Sequence, residues 1–195
     1  MSTGLIASRY AMALLKLVDE TGNGELVVHQ VEVLQDALNS MRELRRAVDD
    51  LKITPDQKMA LFDTVVSGGG KSSVKMAPEL RSFIGLLGKN GRLDDIRLIF
   101  NSFISDYYKS RGIIRGRLVF PSSEGAAREG EAWEKKIRDL IESRSGKKLL
   151  LKTEVDESLI GGFLLEVEDQ LLDASVSHQL DLIRKQFIER NRRIV

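Results

Sequence analysis

Gly70-Lys71-Ser72 has the ending of a phosphate-binding loop, in which glycine amides cradle phosphate oxygens and a lysine neutralises them. Such a loop needs another glycine five positions earlier and a strand in front of it. Val65 stands at that position, and Leu61, Phe62, Val65 and Val66 repeat with helical spacing, so Gly68 to Ser72 reads as a flexible connection between helices. The two histidines, His29 and His178, lie far apart with no carboxylate-histidine grouping beside either. Cysteine is absent, which removes thiolate nucleophiles, disulfides and cysteine-held metals together. No serine stands in a G-x-S-x-G turn, and the carboxylates are spread along helix faces as solvated positions or i,i+4 partners. The residues therefore describe a chain with no catalytic residues, no cofactor and no metal site.

Composition narrows the class further. With 42% hydrophobic and 30% charged residues the chain is that of a folded globular protein, long enough at 195 residues for one large domain or two small ones. Thirty basic residues against 29 acidic ones leave a net charge of +1, so a nucleic acid or an anionic lipid would need a local patch. The one candidate patch is C-terminal, Arg184-Lys185 and Arg190-Asn191-Arg192-Arg193. It supports an alternative reading as a helical nucleic-acid-binding or adaptor protein, and Gly68 to Ser72 supports another as a small transferase. Arg9 and Lys16 interrupt the apolar N-terminus, and no segment reaches transmembrane length, which reads as soluble and cytoplasmic.

The elements that would position any binding surface follow from periodicity. Leu5 to about Thr21 reads as a helix ended by Gly22 and Gly24, with Ile6, Ala7, Tyr10, Ala11, Ala13, Leu14, Leu15, Leu17 and Val18 on an arc of roughly 200°. That is wider than one packing face needs; either several neighbours surround this helix or part of the arc receives a helix of another chain. Glu25 to Leu38 and Met41 to Leu51 are two further amphipathic helices. Thr54-Pro55-Asp56-Gln57 is a capping box that starts a fourth. A fifth follows Pro78 with Leu80, Phe83, Ile84, Leu86 and Leu87. Its Gly85 and Gly88 either admit a close helix or mark a loosely packed surface. Asn90-Gly91-Arg92 closes it and opens a long sixth on Leu93, Ile96, Phe100, Phe103 and Tyr107.

Beyond Gly112 the grammar changes. Ile113 to Phe120 reads as a strand, a helix follows on Ala126, Trp133, Ile137, Leu140 and Ile141, and Leu149 to Val155 is a second strand. Gly161-Gly162 then breaks the pattern before the strand Phe163 to Val167; Glu168-Asp169-Gln170 turns it and Leu171-Leu172 returns. Asp173 to Ser175 offer capping oxygens to a last helix with Val176, Leu180, Ile183 and Phe187 on one face. The expected fold is mostly α, a six-helix bundle over residues 1–105 followed by a smaller α/β domain over 106–195.

Several of these stretches, in order, resemble the δ subunit family of the F-type ATP synthase, the bacterial relatives of the mitochondrial oligomycin-sensitivity-conferring protein. The matching residues are Ala7-Ser8-Arg9-Tyr10-Ala11-Met12-Ala13-Leu14, Lys89-Asn90-Gly91-Arg92-Leu93, Gly112-Ile113-Ile114, Ile160-Gly161-Gly162-Phe163 and Asp173-Ala174-Ser175-Val176. The sequence departs from the family at Ala174, where members commonly carry glycine, and at Ser177-His178-Gln179, where they carry basic residues. The resemblance implies a non-catalytic stator subunit, one copy in a hetero-oligomer, peripheral on the cytoplasmic face of a bacterial inner membrane without inserting in it. It implies that the first and fifth helices hold the N-terminal helix of a catalytic-head α subunit, a groove that falls on Tyr10, Ala13, Leu14, Leu17, Phe83, Leu86 and Leu87 with Gly85 allowing close approach. The C-terminal domain would face b-type stalk subunits with Gly161, Gly162, Phe163, Leu180, Ile183 and Phe187, part of which would also close that domain's own core.

Overall fold

The computed structural model describes residues 3–50, 52–69, 74–168 and 170–192, with the side chains of residues 3, 123–129, 186–187 and 189–192 outside that description. Six helices come first: α1 (Thr3–Thr21), α2 (Gly24–Ser40), α3 (Arg42–Asp49), α4 (Pro55–Val66), α5 (Pro78–Lys89) and, after a 3-10 turn at Leu93–Asp95, α6 (Ile96–Ser110). Then follow β1 (Ile113–Phe120), α7 (Ser123–Ser145), β2 (Lys148–Val155), β3 (Leu164–Val167), β4 (Gln170–Asp173) and α8 (Val176–Arg192). This is the expected class, a helical N-terminal part and a mixed sheet with helices after it. The chain divides into two compact units, residues 1–107 and 108–195.

The N-terminal unit buries one stripe of each main helix. On α1 it is Ala7, Ala11, Leu14 and Val18; on α2 Val27, Val31, Leu34 and Leu38; on α5 Leu80, Phe83, Ile84 and Leu87. Each set repeats at three and four residues, the spacing that keeps side chains on one side of a helix. Local chemistry sets the ends. Thr54 Oγ1 accepts the Gln57 N–H at 3.4 Å while Gln57 Oε1 accepts the Thr54 N–H at 3.0 Å, the reciprocal cap that the sequence predicts for α4. At the end of α5, Gly91 turns left-handed (φ 63) and the Arg92 N–H closes back on the Leu87 carbonyl at 2.8 Å.

Buried polar groups tie these helices to one another. Gln30, on α2, donates from Nε2 to the Lys75 carbonyl at 2.9 Å and accepts the Ala77 N–H at 2.8 Å, which fixes the lead-in to α5. Lys58, buried on α4, donates from Nζ to the Val48 carbonyl near the C-terminal end of α3, where a cation also meets the negative end of the helix dipole. Glu79 is buried in the first turn of α5 and accepts Asn23 Nδ2 at 2.6 Å, just ahead of α2. That hydrogen bond is the main cause that holds the Glu79 carboxyl below its ordinary pKa.

In the C-terminal unit the strand order is β2-β1-β3-β4, with β1 and β2 parallel and the other pairs antiparallel. A parallel pair cannot be closed by a tight turn, and α7 supplies the crossover between β1 and β2. Alternation sends Ile114, Leu118 and Phe120 of β1, with Leu149 of β2 and Leu165 of β3, into one core with Ile137 of α7. On the opposite face Arg117 bridges Glu166 at 2.8 Å and Glu154 at 3.3 Å, tying three adjacent strands.

A carboxylate whose pKa is lowered on folding contributes stability that is fully present above its unfolded pKa and is lost as the pH falls through its lowered folded pKa. Asn23→Ala removes the main donor to Glu79 and is expected to cost about 1 to 3 kcal/mol at neutral pH. Urea unfolding at about pH 7 and about pH 3 is the check: acidification lowers the midpoint more in the wild type than in Asn23→Ala.

Candidate functional site

At the end of α4, Gly68 (φ 61) and Gly69 (φ 73) turn left-handed, with the Gly69 N–H on the Thr64 carbonyl at 2.9 Å. Helix rather than strand therefore leads into Gly70-Lys71-Ser72, which themselves lie outside the described residues. No three of His, Asp and Glu converge as metal ligands among the described residues. What the structure does present is apolar helix surface on each unit.

On α1 a second stripe lies about 100° round from the buried one: Ile6, Tyr10, Ala13 and Leu17. Ala13 is exposed and the other three are half-buried. This stripe turns towards α5. The Tyr10 ring meets Phe83 edge-on with centroids 6.4 Å apart, and its hydroxyl accepts Asn90 Nδ2 at 3.2 Å. The Asn23–Glu79 bond joins the other ends, so α1 and α5 run antiparallel. Between them Leu86 is 46% exposed. Of the expected groove residues, Tyr10, Ala13, Leu17 and Leu86 reach the surface, whereas Leu14, Phe83 and Leu87 are buried in the bundle's own core and can only form the floor.

Gly85 does not belong to this surface, contrary to expectation. A Cβ there would meet the Met59 side chain of α4 at 3.9 Å, and one at Gly88 would meet Pro55 Cβ at 3.2 Å. The helix admitted by the two glycines is the chain's own α4. The far flank of α1 carries exposed Leu5 and Met12 beside half-buried Leu15, so its wide apolar arc is divided between the core and two flanks.

In the C-terminal unit Phe163 packs its ring on Trp133 at 4.8 Å and on Phe120 at 6.3 Å. Gly161 and Gly162 lie against the segment that enters α8: the Gly161 carbonyl accepts the Val176 N–H at 3.0 Å and the Phe163 carbonyl accepts the Ala174 N–H at 3.0 Å. Gly162 has φ 78, and a Cβ there would sit 2.2 Å from the Ala174 carbonyl oxygen. The pair thus clamps the start of α8. Ser175 then caps that helix, its Oγ accepting the His178 N–H at 3.2 Å, while Asp173 Oδ1 accepts the Ser175 N–H at 2.9 Å. Bonding to Ser175 holds the Asp173 carboxylate below its ordinary range.

Beyond the cap, α8 turns its apolar residues outward. Leu180 is 57% and Ile183 58% exposed; the Phe187 side chain and the Asp169 turn lie outside the described residues. Of the set expected to share in closing the domain core, Phe163 packs against it, while Leu180 and Ile183 stay on the surface; α7 and the inner faces of β1, β2 and β3 supply the buried residues. Sequence reasoning also missed the ties Asn23–Glu79 and Asn90–Tyr10, because partners 56 and 80 residues apart leave no local signal.

The family model described as "ATP synthase delta (OSCP) subunit" matches residues 6–187 of this chain. The chain is 32% identical over 197 residues to ATP synthase subunit delta of Phocaeicola vulgatus, covering 100% of both. It is 30% identical over 195 residues to the Bacteroides fragilis protein of the same name, again covering 100% of both. Among solved structures, a chain of the cryo-EM structure of the Toxoplasma gondii mitochondrial ATP synthase hexamer shares the fold with a TM-score of 0.65. That chain is 24% identical, over 93% of this chain and 97% of its own length.

The glycine clamp is directly testable. Gly162→Ala is expected to destabilise the C-terminal unit by about 2 kcal/mol or more, since a Cβ must displace backbone and φ is left-handed. Gly161→Ala, whose Cβ would meet only the Val176 side chain at 3.1 Å, costs less. Thermal unfolding of the two variants gives the order.

Proposed function

The chain belongs to the ATP synthase delta (OSCP) subunit family, as a non-catalytic stator component of the F-type ATP synthase, and we propose that it joins the catalytic head to the peripheral stalk through two separate surfaces. The N-terminal unit takes the N-terminal helix of a catalytic-head α subunit along α1 and α5. The C-terminal unit meets b-type stalk subunits through the glycine clamp, Phe163 and the apolar face of α8. One copy serves each enzyme. It sits peripherally on the cytoplasmic face of a bacterial inner membrane; no helix among the described residues is long and apolar enough to cross one.

The observation that carries this reading is the pair of apolar surfaces left over once each unit has closed its own core. Leu86 stands exposed between Tyr10, Ala13 and Leu17 on one unit, and Leu180 and Ile183 stand exposed on the other. Contiguous apolar helix surface of this kind is what helix-in-groove recognition uses. The mechanical role follows from having one such surface per unit. A rotary head feels torque at each catalytic step, and a connector that slips lets ion flow run without synthesis.

Each anchor buried at the α1–α5 groove contributes about 1.5 to 3 kcal/mol before ordering costs. Leu86→Asp is therefore expected to weaken binding of an α-subunit N-terminal peptide by about tenfold or more in calorimetry, with helicity unchanged by circular dichroism. Tyr10→Asp should weaken it too. Unchanged peptide affinity in both variants would rule the groove out.

A further inference from the structure

β2 is an end strand of the sheet, so one of its two edges has no neighbouring strand. Parallel pairing engages alternate residues: the Lys148 N–H bonds to the Gly112 carbonyl at 3.2 Å and the Asp156 N–H to the Phe120 carbonyl at 2.9 Å, which turns the even-numbered residues of β2 towards β1. The backbone N–H and C=O groups of Leu149, Leu151, Thr153 and Val155 therefore point out of the sheet. Glu142 of α7 accepts the Leu149 N–H at 2.9 Å and occupies that end of the edge. Among the described residues nothing bonds to the outward groups of Leu151, Thr153 and Val155. Thr153 is exposed and Val155 is 44% exposed, so another strand can reach them.

This free edge is centred on Thr153, and its side chains complement themselves. Residues directly opposite in an antiparallel pair share a face of the sheet. A second copy laid antiparallel about Thr153 sets Leu151 opposite Val155 and Thr153 opposite Thr153 on the face that α7 covers. On the other face it sets Lys152 opposite Glu154, once on each side of the axis. The nearest alignments that still join outward groups move the axis to Lys152 or to Glu154, and either then faces its own copy, like charge against like. The first of these also needs the Leu149 edge that Glu142 holds. Glu154 already meets Arg117 at 3.3 Å and Lys152 at 3.5 Å in its own chain, so the second copy's Lys152 extends an existing cluster of charges. Farther out Leu150 faces Asp156, whose carboxylate is engaged by the Ser158 N–H at 2.9 Å.

We propose that this chain pairs with a second copy of itself through the outer edge of β2, antiparallel and centred on Thr153, joining the two sheets into one continuous sheet. Leu151, Thr153 and Val155 belong to neither docking surface proposed above, so the pairing stands or falls separately from them. A contact made by one strand edge is small, so the pair is reversible and forms as the chain is concentrated.

Sedimentation of the full chain from about 1 µM to about 500 µM is expected to show monomer converting reversibly to dimer. Amide exchange should slow on pairing at Leu151, Thr153 and Val155, while Lys152 and Glu154, already turned to β1, stay unchanged. Thr153→Pro removes an outward N–H at a place where an edge strand accepts proline, and is expected to weaken association by about tenfold or more with an unchanged unfolding midpoint. Lys152→Glu sets carboxylates against one another across the axis; added salt should strengthen association of this variant and weaken that of the wild type. A chain that stays monomeric throughout would overturn the proposal and leave the two docking surfaces untouched. Association that survives Thr153→Pro, with the Leu151 and Val155 amides still exchanging freely, would overturn the β2 edge. The same salt response in Lys152→Glu and the wild type would overturn the register.

Discussion

A helix in a small bundle can turn only part of its circumference inward, and α1 carries apolar residues over more of its circumference than that. Ala7, Ala11, Leu14 and Val18 go into the core, which leaves Ile6, Tyr10, Ala13 and Leu17 at its edge beside α5. Leu86 stands out from α5 on the same side because Leu80, Phe83, Ile84 and Leu87 have already filled the inward positions. The surface between the two helices is thus a geometric remainder of closing the core. Its position is held at both ends by polar ties, Asn90 to Tyr10 and Asn23 to Glu79, so the two helices keep a defined separation. A surface held in this way is preorganised, which lowers the ordering cost of receiving another helix.

The C-terminal unit applies the same constraint to a sheet. One helix, α7, covers the inner face of β1, β2 and β3, and among the described residues the buried core of this small unit takes no side chain from α8. The clamp of Gly161 and Gly162 on residues 174–176 fixes where α8 starts, and Ser175 caps it there, but its apolar stripe remains outside. For a part that transmits force, a short stiff attachment is useful: the backbone contacts at Gly162 leave no room for a side chain, and so little room for movement.

Much of this was legible in the residues and some was not. Helix ends were readable where the chemistry is local, as in the Thr54 and Gln57 cap, the Gly91 stop and the Asp173 to Ser175 entry into α8. Strand positions followed from β-branched runs bounded by Gly and Pro. Periodicity also marked the wide arc on α1, but it could not say which apolar residues go inside, and Leu14, Phe83 and Leu87 went in. Gly85 was misplaced for a related reason: a glycine announces a close neighbour without naming it, and the neighbour is α4. The fate of α8 depends on whether α7 alone can close the core, a tertiary property that no window of sequence contains.

The central claim is that one chain carries two independent docking surfaces and so acts as a bridge. Sedimentation of the catalytic head, the soluble domain of the stalk subunit and this chain, in pairs and together, tests it most directly. The account predicts that head and stalk domain associate poorly alone and form a single three-component species when the chain is added, each partner binding with the other already in place. Competition between head and stalk for the chain, or a stable head–stalk species that excludes it, would contradict the account.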